Sequence, residues 1–185
     1  ESLADALFAA RLKGLAGQEN VEGNAFLAVT DDQLLTRLTA DGVEPGATHL
    51  QHIHGLVDEN GAPLDSVSPT LADDADGDGV IELAEGVPSY GPILVPLSAP
   101  PGGDVEAFPT APNGRIEFQQ AYGLNDPTTY AEGFGREQLL PLDLREIVVH
   151  GATLEAGVGE GTGGEADGTA GYKLALPVAT GDLDG

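Results

Sequence analysis

The 185-residue chain contains no cysteine, no methionine and no tryptophan. Without cysteine there is no disulfide, no thiolate nucleophile and no thiolate metal site. Cations are scarce: 7 Lys and Arg stand against 31 Asp and Glu, a formal net charge of -24. That excludes a general nucleic-acid binder, because phosphate contacts need Lys and Arg. It also disfavours an anionic membrane surface and gives a strongly solvated exterior suited to salty or exposed surroundings. No apolar run approaches the roughly 18 residues of a transmembrane helix. Methionine is missing even at position 1. We therefore expect a processed chain that has lost a signal peptide and is secreted, periplasmic or displayed at the cell surface.

What is present reads as a β protein. Hydrophobic residues make up 41%, and 27 Gly and 13 Pro fall between short apolar runs, the signature of a turn-rich, all-β architecture. Strands are expected at Leu7–Leu15, Asn24–Thr30, Gln33–Thr39, His49–Gly55, Ile93–Leu97, Gly114–Tyr122, Leu144–His150 and Gly171–Val178. Arg115, Glu117 and Gln119 alternate against Ile116, Phe118 and Gln120, as a half-buried strand requires. Residues 1–6 read as an acidic lead-in with a short helical turn. Long loops at 56–90, 99–113, 125–143 and 151–168 carry no convincing strand, and loops of that length tend to be functional. About eight strands with unequal loops make a β-sandwich or flattened barrel. The whole of 1–185 is expected to form one domain.

The four histidines are unevenly placed. His49, His52 and His54 lie within six residues, and His150 ends the run Ile147-Val148-Val149-His150. Alternate side chains of a strand share a face, so His52 and His54 point one way and His49 the other. A histidine at the end of a core strand needs a partner. Three imidazoles and no thiolate suit copper or zinc.

His49-x-x-His52-x-His54 resembles the H-G-F-H-V-H strand of the copper/zinc superoxide dismutases, and Pro45-Gly46 matches the turn before it. Arg145-Glu146-Ile147-Val148-Val149-His150-Gly151 resembles that family's R-T-L-V-V-H-E, and Gly168-Thr169-Ala170-Gly171-Tyr172-Lys173-Leu174-Ala175 resembles G-N-A-G-S-R-L-A. The matched segments cover about a fifth of the chain, in family order. The resemblance implies a Greek-key barrel of eight strands with copper on His52, His54 and His150. His49 would be the histidine that braces a ligand from behind, and Lys173 would stand where the family guides superoxide with an arginine. Lysine keeps that charge but loses the bidentate fork. No histidine remains for the family's bridging and zinc positions, so a zinc site of that type is excluded. Leu176 follows Ala175 where the family's disulfide cysteine would stand.

A second motif lies in the 56–90 loop. Asp74, Asp76 and Asp78, then Gly79, Val80 and Glu85, fill the expected positions of a twelve-residue calcium loop, with Val80 offering a carbonyl. Oxygen donors alone select a hard cation. Pro69 upstream and Gly86 and Pro88 downstream are unlike the flanks of a paired-helix sensor. We expect a structural calcium loop that orders this segment in place of zinc and the disulfide.

Together these readings predict a copper-only superoxide dismutase converting superoxide to oxygen and hydrogen peroxide, with His52, His54, His150 and Lys173 at the site. The rival is a non-enzymatic extracellular copper-binding or structural module of a cell-surface assembly. A zinc site with hydrolytic chemistry is a smaller alternative. A homo-oligomer, or association with a cell-envelope assembly, is compatible with either main reading.

Overall fold

The computed structural model describes residues 6–185. Eight strands form one curled antiparallel sheet: β1 (Ala6–Gly14), β2 (Glu22–Val29), β3 (Gln33–Asp41), β4 (Gln51–His54), β5 (Ile93–Pro96), β6 (Arg115–Gly123), β7 (Glu146–Leu154) and β8 (Gly171–Asp182). Their spatial order is β5-β4-β7-β8-β1-β2-β3-β6. The expected all-β, Greek-key barrel class is therefore what the chain adopts, rolled as a half-barrel with β5 and β6 at its edges. Strict alternation builds β3, where Leu34, Thr36, Leu38 and Ala40 are buried while Gln33, Leu35, Arg37 and Asp41 are exposed. The inward side chains of β1, β2, β3 and β6 meet those of β5, β7 and β8 around Leu12, Leu38, Ile116, Ile147 and Val178.

Several boundaries differ from the sequence reading. The lead-in expected over 1–6 ends early, because Ala6 already belongs to β1; residues 1–5 lie outside the described residues. β4 starts at Gln51 rather than His49. β7 runs on to Leu154 and β8 to Asp182, because they stay paired across register shifts at Val149/His150 and His150/Ala152.

The 56–90 loop also holds a helix the sequence reading did not contain, α1 (Leu83–Tyr90). Gly86 and Pro88 are poor helix formers, but a capping box offsets them: the Glu85 carboxylate accepts from the Glu82 backbone N–H at 3.0 Å, satisfying an orphan donor of the first turn. A one-turn helix, α2 (Arg136–Leu139), lies in the 125–143 connection.

Arg145 locks these connections to the barrel. Its side chain is buried, and the guanidinium donates to the carbonyls of Leu56, Leu64, Gln138, Leu139 and Leu144 at 2.5 to 3.3 Å. A charge this deep is tolerable only when hydrogen-bonded throughout. Here five backbone dipoles do the work of a counter-ion. No helix among the described residues is long and apolar enough to cross a membrane.

Candidate metal centre

His52 and His54 sit on β4, opposite Val148 and Glu146 of β7, and residues directly opposite in an antiparallel pair share a face. His150 follows on β7, where the register shift re-aims it. Gly151 permits that shift. It has φ 105°, and a Cβ there would strike the Tyr172 hydroxyl. Glycine is thus required both for the left-handed backbone and for the close approach.

The three rings converge. Ring centroids are 5.0 Å apart for His52 and His150, 5.4 Å for His52 and His54, and 5.9 Å for His54 and His150. One nitrogen from each lies within 4.8 Å of the others, a group that can hold a metal ion. Hydrogen bonding indicates which nitrogens these are. His54 Nδ1 lies 2.8 Å from the Gly91 carbonyl and His150 Nδ1 lies 2.7 Å from the Ala175 carbonyl. A carbonyl only accepts, so both Nδ1 atoms carry the proton and both Nε2 atoms keep a lone pair. His52 Nδ1 faces His150 Nε2 at 3.2 Å. The donor set is therefore Nδ1 of His52 with Nε2 of His54 and His150.

The site's electrostatics suit a cation ligated by neutral rings. All three histidines are at most 5% exposed. Burial, followed by repulsion from His150, pushes His54 down to about 3. Burial lowers His150 to about 4, opposed by its hydrogen bond to Ala175. His52 is driven well below the ordinary histidine range by burial and by its two imidazole neighbours. At neutral pH each ring is uncharged and free to ligate. His54 Nε2 is buried with no hydrogen-bond partner. A buried acceptor left unpaired is costly, and a metal ion would relieve it. The residues fit a borderline transition metal such as copper or zinc.

Aromatic rings flank the site. Phe108 stands edge-on to His52 at 5.6 Å, and Tyr90 edge-on to His54 at 4.7 Å. His49 lies behind, with Nδ1 2.9 Å from the His150 carbonyl and Nε2 3.0 Å from that of Glu44. It thus lies between the backbone of His150 and the β3–β4 turn, with one N–H to give to one of the two carbonyls when neutral. Lys173 lies on β8. Its ammonium donates to Asp167 and Thr169, each at 2.9 Å, and no contact among the described residues joins it to the three rings.

In the acidic loop, Asp74, Asp76 and Glu85 form one potential cation group, and Asp76, Asp78 and Glu82 a second. Gly79 adopts φ 91°, the turn expected there. Asp74 gathers the backbone N–H groups of Gly77, Asp78 and Gly79, while Glu85 accepts from Ala75. Burial, then the charges of Asp76, Asp74 and Glu85, raise Asp78, whose buried Oδ2 has no partner. The Val80 side chain packs into the core and its N–H donates to Asp78.

Glu82 was not among the expected ligands, although it occupies the loop's ninth position, where a ligand, often through water, is usual. It is 3% exposed, and its Oε1 accepts from the Ala166 N–H at 2.6 Å. The loop is thereby joined to the 155–168 segment. α1 then leads from Glu82 and Glu85 to the metal centre, since Tyr90 ends it and the Gly91 carbonyl orients His54. Gly91 itself lies against the backbone of Gly55, where no Cβ would fit.

No family model matches the chain, and no curated protein matches it at a significant level.

Proposed function

We propose that the chain is a copper-only member of the copper/zinc superoxide dismutase-like proteins, converting superoxide to oxygen and hydrogen peroxide. The observation that carries this reading is the convergence of three neutral imidazoles, with the lone pairs of His54 and His150 selected by backbone carbonyls. Copper bound there would supply one-electron chemistry, accepting an electron from one superoxide and returning it to a second, which leaves as peroxide with two protons. His52, His54 and His150 bind and orient. Phe108 and Tyr90 exclude water from two sides. The Nδ1 protons of His54 and His150 are committed to carbonyls, so solvent water is the source of both protons.

Substrate approach is the weak point of the design. A chain of net charge -24 repels an anion at long range, and Asp167 compensates the one cation assigned to guidance. That pairing favours a second reading, a copper-binding module without turnover. We further propose that the 74–85 loop takes up calcium on Asp74, Asp76, Asp78, Glu85 and the Val80 carbonyl, and that this orders the segment around α1. The unpartnered Asp78 oxygen supports it.

The deciding experiment is metal analysis with electron paramagnetic resonance on copper-loaded protein and on His150→Ala, beside a superoxide assay. Copper with nitrogen couplings that change in His150→Ala, together with turnover, is the expected result. Copper without turnover selects the binding module. A spectrum indifferent to His150 removes the three-histidine centre.

A further inference from the structure

The outer face of β1, β2, β3 and β6 differs from the rest of the surface. These four strands carry Arg11, Lys13, Arg37 and Arg115, four of the chain's seven cations. They carry only Glu22, Asp41 and Glu117 of its 31 acids. Arg115 is paired with both Asp41 and Glu117. A chain of net charge -24 thus keeps one broad face close to neutral.

The centre of that face is apolar. Register places Leu7 beside Ala28, Ala28 beside Leu35, and Leu35 beside Ala121, with Ala9 and Phe26 adjacent in the next outward row. Leu7 is 68% exposed, Phe26 57% and Leu35 42%. The same residues line a shallow groove that continues to Arg37 and Gln119. Isolated exposed apolar residues need no explanation, but a contiguous patch marks an interaction site.

We propose that this face is the interface of a two-fold homodimer. Charge selects the partner. Two copies repel each other wherever their acidic surfaces meet, and this face is the approach on which the repulsion is least. Its net charge is too small to recruit an acidic partner, while its apolar rows need an equally apolar surface. The same face on a second copy provides one, in the self-complementary arrangement that closes an assembly at two. Size agrees as well. Four strands of about nine residues span roughly 20 Å by 30 Å, a footprint of about 600 Å² before side-chain relief is added. A standard interface removes roughly 800 Å² from each partner.

Sedimentation equilibrium on the 185-residue chain tests this, beside Phe26→Glu and Leu7→Glu. Melting followed by circular dichroism identifies which variants remain folded. The expected result is a mass of twice 18.8 kDa for the wild type at micromolar concentration. Association should weaken at least about 100-fold in each folded variant, since a charge is then buried on both copies. A monomeric wild type at 100 µM would overturn the proposal and leave the face to a partner of another kind. So would a folded variant that dimerises as well as the wild type.

Discussion

Glu146 offers a quantitative test of how the barrel treats buried charge. Its side chain is fully buried, with Oε1 accepting from the Ser68 hydroxyl and Oε2 without a partner. Asp182 faces it across the β7–β8 register. Burial, with the Asp182 carboxyl adding to it, lifts Glu146 from 4.5 to about 9. The folded state therefore holds this proton between those values while the unfolded chain releases it. Below pH 4.5 the two states bind it equally and stability is unaffected. As pH rises from 4.5 to about 9, stability falls by about 1.4 kcal/mol per unit.

Glu146→Gln keeps the shape and the Ser68 hydrogen bond but cannot ionise. It should match the wild type near pH 4.5 and exceed it by about 3 kcal/mol at pH 7, the gap widening to pH 9. The assay is urea unfolding at half-unit intervals in the presence of chelator. The buried histidines act at the other end. Their folded values near 3 and 4 lie below the ordinary 6.5, so their stabilisation is complete above 6.5 and is lost as pH falls towards 3. That acid limb should be common to both proteins. Parallel profiles from pH 5 to 9 would refute the assignment of a neutral, buried Glu146.

Three further outcomes follow from the same contacts. Arg145→Met removes the guanidinium donor from five carbonyls, of which those of Leu56 and Leu144 keep the N–H groups of Leu64 and Ser66 while those of Leu64, Gln138 and Leu139 lose their partner, and even with relief of the guanidinium's desolvation it should cost about 3 kcal/mol in urea unfolding; a loss under about 1 kcal/mol would show that these carbonyls find water instead. Calcium should raise the melting temperature and strengthen copper binding several-fold, both effects disappearing in Glu85→Gln, as read by calorimetry and copper titration; equal values with calcium and with chelator would defeat the calcium loop. Under the dismutase reading, Lys173→Glu should slow turnover and Asp167→Asn should speed it, with both effects shrinking at high salt in pulse-radiolysis rates; unchanged rates would remove Lys173 from substrate guidance.

Much of the architecture was legible because β1, β2, β3 and β6 declare themselves in local alternation. Leu34, Leu38 and Ala40 against Leu35, Arg37 and Asp41 specify β3 without reference to any other segment. The histidine spacing was legible for the same reason, since a period of two settles which face His52 and His54 share. α1 was not, because Gly86 and Pro88 argue locally against a helix and the capping that overrides them depends on Glu82 and Glu85 side chains turning back onto backbone. Nor could residue identity reveal what fixes the imidazole protons, as the Gly91 and Ala175 carbonyls are anonymous in a sequence. Arg145 was visible as part of a motif. Its five acceptors come from segments up to 89 residues away, so its role exists only in the folded chain. Lys173 shows the reverse case: the position was readable, but its pairing with Asp167 depends on how the 155–170 segment returns to β8.

The β4–β5 connection raises the question of what orders so long a segment when neither a zinc site of the resembling family's type nor a disulfide is present. Its first part is held by Arg145 through the carbonyls of Leu56 and Leu64, and by Ser66, whose hydroxyl accepts from the Leu56 N–H. Its middle is pinned where Ser68 meets Glu146 and Thr180. Its last part depends on carboxylates, with Glu82 reaching Ala166 and Glu85 capping α1. This last part leads to a histidine of the candidate centre, His54, through Tyr90 and the Gly91 carbonyl. α1, about 12 Å long, sets both the Tyr90 ring against His54 and the carbonyl that selects the His54 tautomer, whereas His150 takes its carbonyl from β8. Loosening the acidic loop should therefore disturb His54 and leave His52 and His150 in place. Such a perturbation would alter the spectrum of bound copper before it abolished binding.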